Sequence, residues 1–184
     1  MTNWCQNRLE VSGPTPLLGA WRAAQQGASP GQVGGRSQAL SFHAQLPAPP
    51  DAPGPHRARR PHDETQRLGL LLTGHADPTP DLPLDSVSWR ILHWGCSGDA
   101  AHVNLTSFPE RLTLEFLTPW GPPLAWLQAV ATAWPALGFE LRGIEPGNEL
   151  YVHVRILNGR VQHSEERAPT GQELLEWGYE PDDA

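Results

Sequence analysis

Lysine is absent from this sequence: all 13 basic residues are Arg, against 20 Asp and Glu, for a net charge of −7. The Arg residues are scattered, so the absence reads as the codon bias of a GC-rich genome and not as a built anion-binding fork. A net negative chain without a basic stripe repels a phosphate backbone, which disfavours nucleic acid as a partner. Cysteine is scarce as well, and two cannot make a disulfide framework. No run approaches the roughly 20 apolar residues that a membrane span needs. Met1 to Glu10 has no basic stretch followed by an apolar one, so it does not read as a secretory leader. These absences leave the expectation of a soluble, cytoplasmic protein with no membrane partner. With 184 residues, 39% of them hydrophobic, the chain suits a single domain with a core.

What is plentiful is Pro and Gly, 20 and 18 residues. Both break regular structure, so much of the chain is expected as loop. Residues 4–12 alternate as a strand, with Cys5, Asn7, Leu9 and Val11 on one face and Gln6, Arg8 and Glu10 on the other. Thr15 is placed to cap a helix whose first residue is Pro16, running to Gly27. Leu40-Ser41-Phe42 suggests a short strand. Residues 44–86 form a Pro-rich insertion that cannot sit inside a sheet, because Pro fixes its backbone and lacks a donor. Within it, Asp63 to Gln66 has the form of a capping box for a short helix to about Thr73, while the run Leu70-Leu71-Leu72 is equally short enough for a buried strand. Asp85 to Trp94 is expected as a helix stopped by Gly95.

From Ala101 onward the order reads strand, strand, helix, strand, strand, strand, short helix. Leu112 to Phe116 alternates as a strand, and Pro122-Pro123 opens a helix whose buried stripe is Leu124, Leu127, Val130, Ala131 and Trp134. Phe139 and Leu141 mark the next strand, followed by one carrying Leu150, Val152, Val154 and Ile156 on one face. Asn158-Gly159 predicts a two-residue hairpin turn, since both positions tolerate positive φ. That register sets Ile156 opposite Val161 and Val154 opposite His163. In the C-terminal stretch 165–184, Thr170 and Glu173 make a capping box for a last helix docked by Leu174, Leu175 and Trp177, before an acidic tail. The sum is α+β, with an antiparallel sheet and helices packed on one face.

Four blocks carry a resemblance. Asn3-Trp4-Cys5-Gln6-Asn7-Arg8-Leu9-Glu10-Val11-Ser12-Gly13 resembles the opening of the YubB-type ferredoxin-like family, proteins of plasmids, phages and bacterial chromosomes. His93-Trp94-Gly95-Cys96 is similar to a variant of that family's central Asn-Trp-Gly-Thr-Lys-Trp segment, with Cys96-Ser97-Gly98-Asp99 in place of Thr-Lys-Trp. Phe116 to Pro123 resembles its Phe-x-Thr-Ala-Trp-Ser-Pro-Pro, and Phe139 to Gly147 its strand ending in Glu-x-Gly. The resemblance implies a ferredoxin-like fold and the setting of an accessory protein of mobile elements; it supplies no chemistry.

Three functional readings follow. The leading one is a non-enzymatic binding or accessory protein with an unknown protein partner, because no complete catalytic constellation and no phosphate-cradling Gly loop is present. Its expected surface joins Trp4, Asn7, Trp94, Gly95, Thr118 and Trp120, where the resemblance blocks fall. The second is single-stranded nucleic-acid binding, with Trp4, Trp94 and Trp120 as a stacking platform and Arg57, Arg59 and Arg60 as the basic contacts. The third is a metal- or thiol-dependent enzyme at residues 93–102. His93, Cys96 and His102 would be the zinc ligands, with Asp99 nearby and Cys5 available from the first strand. The expected cofactor is none, with zinc only under that third reading.

Overall fold

The alternation read in residues 4–12 produces the central strand of a sheet, in a computed structural model that describes residues 3–28, 37–49 and 86–180. In chain order the elements are β1 (Trp4–Ser12), α1 (Thr15–Gln25), α2 (Phe42–Gln45), α3 (Ser86–Trp94), β2 (Ala101–Phe108), β3 (Arg111–Pro119), α4 (Leu124–Ala133), β4 (Gly138–Glu145), a 3-10 turn (Pro146–Asn148), β5 (Leu150–Leu157), β6 (Arg160–Arg167) and α5 (Gly171–Glu176). The strands form one antiparallel sheet in the order β2-β3-β1-β4-β5-β6. The chain is thus α+β, and no helix among the described residues is long and apolar enough to cross a membrane.

The core lies between one sheet face and helices α1 to α4. Leu9, Val11, Leu114, Leu141 and Val154 come from the sheet; Trp21, Phe42, Trp94 and Trp126 come from the helices. Phe42 is the hub: its ring meets Trp94 at 5.7 Å, Phe116 at 6.0 Å and Trp126 at 4.7 Å between centroids. Such aromatic contacts contribute about 0.5–1.5 kcal/mol each beyond the area they bury. One residue of α2 thereby joins α3, β3 and α4.

Several expectations change. Residues 40–42 are not a strand. Asp99 accepts the Phe42 N–H at 2.6 Å and the Ser41 hydroxyl at 2.7 Å, and this outside carboxylate holds the start of α2. Thr15 is not the cap of α1. Pro14 is, and the Thr15 hydroxyl donates to Pro109 O at 2.6 Å, tying the helix to the β2–β3 turn. Trp126 belongs to the buried stripe of α4, while Trp134 is its half-buried C-cap. The expected helix at 63–73, most of the 44–86 insertion and the end of the acidic tail lie outside the described residues.

The helices do not all share one face. Strand alternation puts Gln6 and Arg8 opposite the core-facing Cys5, Asn7 and Leu9. There Gln6 Nε2 donates to the Tyr179 hydroxyl at 2.7 Å, and the Arg8 guanidinium lies 5.3 Å from the Trp177 ring centre. Helix α5 and the residues after it therefore lie on the second face. Its capping box forms as expected, and Leu174 docks, but Leu175 is 61% exposed.

The Asn158-Gly159 turn takes φ of +53° and +69°, as a two-residue hairpin requires. Ile156 faces Val161 as expected. Val154 instead faces Ser164, and His163 faces Arg155, because Gln162 is an extra residue bulged out of the ladder.

Candidate functional site

Three of the motif blocks and the end of a fourth meet around one end of β1, and most of their polar residues are spent on the fold. Asn7 is 2% exposed. Its Nδ2 donates to Thr118 Oγ1 at 2.7 Å and to Cys5 O at 3.0 Å, and the Thr118 hydroxyl donates to Gly121 O at 2.7 Å. Buried polar groups must find partners; these supply one another and bind β1 to β3 and to the turn entering α4. Gly143 leaves the room: a Cβ there would lie 3.1 Å from Asn7 Oδ1 and 3.2 Å from Pro122 Cβ. Gly95 takes φ +91°, and its Cβ would stand 2.9 Å from Leu124 N. Trp120 adopts φ +72° while its N–H donates to Asn3 O at 2.9 Å. Glu145 closes the group, its Oε1 accepting from Gly147 N at 3.1 Å, and burial raises its pKa.

The six expected binding residues thus separate. Asn7, Thr118 and Trp94 are buried, Gly95 packs on the start of α4, Trp120 is half-buried, and Trp4 is 44% exposed. Trp94, at 0% exposure, donates its indole N–H to Leu46 O at 3.0 Å and meets Phe42 and Trp89 edge-on. It cannot stack a base, so the three-Trp platform is not assembled. Arg57, Arg59 and Arg60 lie outside the described residues.

His93, Cys96 and His102 do not converge. His93 is exposed and stacks on Trp89 at 4.3 Å, and partial burial lowers its pKa. Cys96 is buried with its thiol on Gly98 O at 3.2 Å; burial, then the charge of Asp99, pushes that thiol well up. Cys5 is raised the same way, by burial and then Glu145. A thiol that stays protonated is a poor nucleophile and a poor metal ligand. Asp99 is occupied by Ser41, Phe42 and Ala100. His102 is on the far side of the sheet.

That far side holds the cavity that sequence reasoning missed. Side chains of all six strands form transverse rows there: Asn104, Glu115, Arg8, Arg142, His153 and Glu165 in one, and Thr106, Thr113, Glu10, Glu140, Arg155 and His163 in the next. At the β2 end, a cleft of about 380 Å³ is lined by Gln6, Arg8, His102, Asn104, Glu115 and Trp177. Arg8 pairs with Glu115 at 3.1 Å on its floor. The available signal was the polar series Gln6, Arg8, Glu10, which marks a face that water reaches. The cleft borders the outer edge of β2, which no strand pairs among the described residues. Residues 101–108 of that edge include no Asp, Glu or Arg, whereas β6, the opposite edge, carries Arg160, Glu165, Glu166 and Arg167.

No protein-family model matches the chain, and no curated protein is significantly similar to it. Among solved structures, the crystal structure of protein api92 from Yersinia pseudotuberculosis, labelled with the family model DUF1281, is similar over 92% of this chain and 99% of that one. The TM-score is 0.52 at 11% identity, a likeness of fold.

Proposed function

We propose that the chain is a non-catalytic protein-binding module of ferredoxin-like build, akin to the YubB-type family, that takes an extended segment of a partner protein along the outer edge of β2. The carrying observation is the contrast between the two sheet edges. Edge strands invite pairing, and proteins guard them with charge, bulges or Pro. Strand β6 carries charge at both ends, Arg160 at one and Glu165, Glu166 and Arg167 at the other, with a bulge at Gln162 between them. Strand β2 has an irregularity only between Ala101 and Asn104, and from Asn104 to Phe108 it is regular and uncharged. A strand added there would gain main-chain hydrogen bonds, while the adjoining cleft received its alternate side chains. The order β2-β3-β1-β4, with helices after β1 and β3, supports the ferredoxin-like assignment. Two buried, protonated thiols support the non-catalytic one. With Glu115 paired to Arg8, Glu176 leaves the cleft lining net negative, which disfavours a phosphate backbone as the occupant.

The test is a photo-crosslinking side chain at Ser107, compared with one at Gln162 on the opposite edge, in cells of the native host. A partner protein crosslinked from 107 and not from 162, and lost on Thr106→Lys, is the expected result. Equal crosslinking from both edges, or none, overturns the proposal. Salt-sensitive quenching of Trp fluorescence by an oligonucleotide would replace it with nucleic-acid binding, and a turnover abolished by Cys96→Ala would end the non-catalytic reading.

A further inference from the structure

At the opposite end of the second sheet face, two imidazoles and a carboxylate come together. Ligand atoms of His153, His163 and Glu165 all lie within 4.8 Å of one another. The rings of His153 and His163 are 4.8 Å apart between centroids, and His163 Nε2 is 3.7 Å from Glu165 Oε2. His153 and Glu165 are directly paired across β5 and β6. His163 reaches them only because of the bulge. In an unbroken ladder it would face Val154 and turn toward the core, since a one-residue slip reverses every side chain. The extra residue Gln162 carries it into the row of Arg155, beside the other two. Bulges commonly re-aim a side chain in this way.

The surrounding groups prepare the cluster. Glu140 Oε1 is 2.9 Å from His153 Nε2 and holds that ring in place. Arg167 Nε donates to Glu165 Oε1 at 2.7 Å, which fixes the carboxylate and leaves Oε2 toward His163. Arg142 and Arg155, 3.0 and 3.9 Å from the oxygens of Glu140, spend their charge on that carboxylate.

We propose that His153, His163 and Glu165 bind a transition-metal dication of the zinc class, with Glu140 orienting His153. Two imidazoles and one carboxylate are a donor set that suits zinc, and three protein ligands leave a fourth position open to solvent or a ligand. Metal–ligand bonds of about 2.0–2.1 Å draw donor atoms to roughly 3.4 Å apart. Rotation of the partly exposed His163 and Glu165 side chains supplies that contraction. A carboxylate behind a ligating imidazole is the usual second partner of such sites. The neighbouring guanidiniums hold the affinity below that of a closed structural zinc site.

The experiment is a calorimetric titration of the full chain with Zn²⁺ alone, paired with NMR of the imidazole resonances. One equivalent is expected to bind, shifting the His153 and His163 signals. His163→Ala and Glu165→Gln are each expected to weaken binding by at least about tenfold. His163 and Glu165 are exposed or half-exposed, so these changes leave the fold intact, as circular dichroism would verify. His93→Ala with Cys96→Ser is expected to bind as the parent does. Failure of the parent chain to bind, unchanged affinity in His163→Ala, or shifts confined to other histidines overturns the proposal. None of these outcomes bears on the β2 edge.

Discussion

Asn7 and Thr118 hold one another across 111 residues of sequence, Nδ2 to Oγ1 at 2.7 Å, with both side chains buried. The pair behaves as a rivet between β1 and β3. Asn7→Ala leaves the Thr118 hydroxyl with one partner fewer and uncovers Cys5 O in a dry site, which costs about 1–3 kcal/mol. Chemical denaturation of Asn7→Ala, Thr118→Val and the double variant measures the coupling. A coupling energy of about 0.5–3 kcal/mol is expected for groups in direct contact, and strict additivity would contradict the rivet.

Two glycines are expected to respond with opposite sign. Gly95→Ala places a Cβ at φ +91° and 2.9 Å from the backbone nitrogen of Leu124, so it destabilises by about 2 kcal/mol. Gly19 is exposed in the middle of α1, with nothing within 4 Å of its would-be Cβ. Gly19→Ala stabilises by about 0.5–1 kcal/mol through helix propensity. Thermal unfolding of the two variants beside the parent resolves both.

Acid is expected to loosen the C-terminal helix before the sheet. Arg167 grips Glu173 with two 2.7 Å bonds, and with Thr170 it holds the Glu173 pKa down from 4.5 to about 2. A depressed acid contributes stability that is complete above its unfolded pKa and lost as pH falls through the folded one. The window is therefore from about pH 4.5 down to about 2. Protection of residues 171–180 against hydrogen exchange, taken relative to the intrinsic rate at each pH, is expected to fall across that window. Glu173→Gln is expected to exchange faster at neutral pH and to lose that pH dependence.

Both thiols are expected to be silent toward a thiol reagent in the native protein and to react together on unfolding, because burial keeps each protonated. Rapid native labelling of Cys96 would revive a thiol chemistry at residues 93–102.

Much of the sheet was legible from the sequence where local pattern decides. The alternation in residues 4–12, the Asn158-Gly159 turn and the Thr170–Glu173 box each stand where that pattern put them. What was hidden depends on distant residues. The start of α2 is set by Asp99, which lies 57 residues beyond Phe42. Trp94 is core and not platform because Phe42 and the Leu46 carbonyl close on it, and no local period reports that. The bulge at Gln162 leaves the alternation Val161, His163 undisturbed on paper and changes which face His163 meets. α5 crosses to the second face because Gln6 and Arg8, near the other end of the chain, offer Tyr179 and Trp177 a seat.

The position of β1 also governs how the chain is born. Both of its neighbours, β3 and β4, come from the second half of the sequence. On a ribosome adding about 5–20 residues per second, the Asn7 side chain waits roughly 5–20 s before Thr118 exists. Through that interval α1 can coil by itself, but β1 travels as a lone amphipathic ribbon. It is open to chaperones and to other nascent chains until its partners emerge. That wait is written into the strand order, and synonymous codons that pause translation before residue 119 would prolong it.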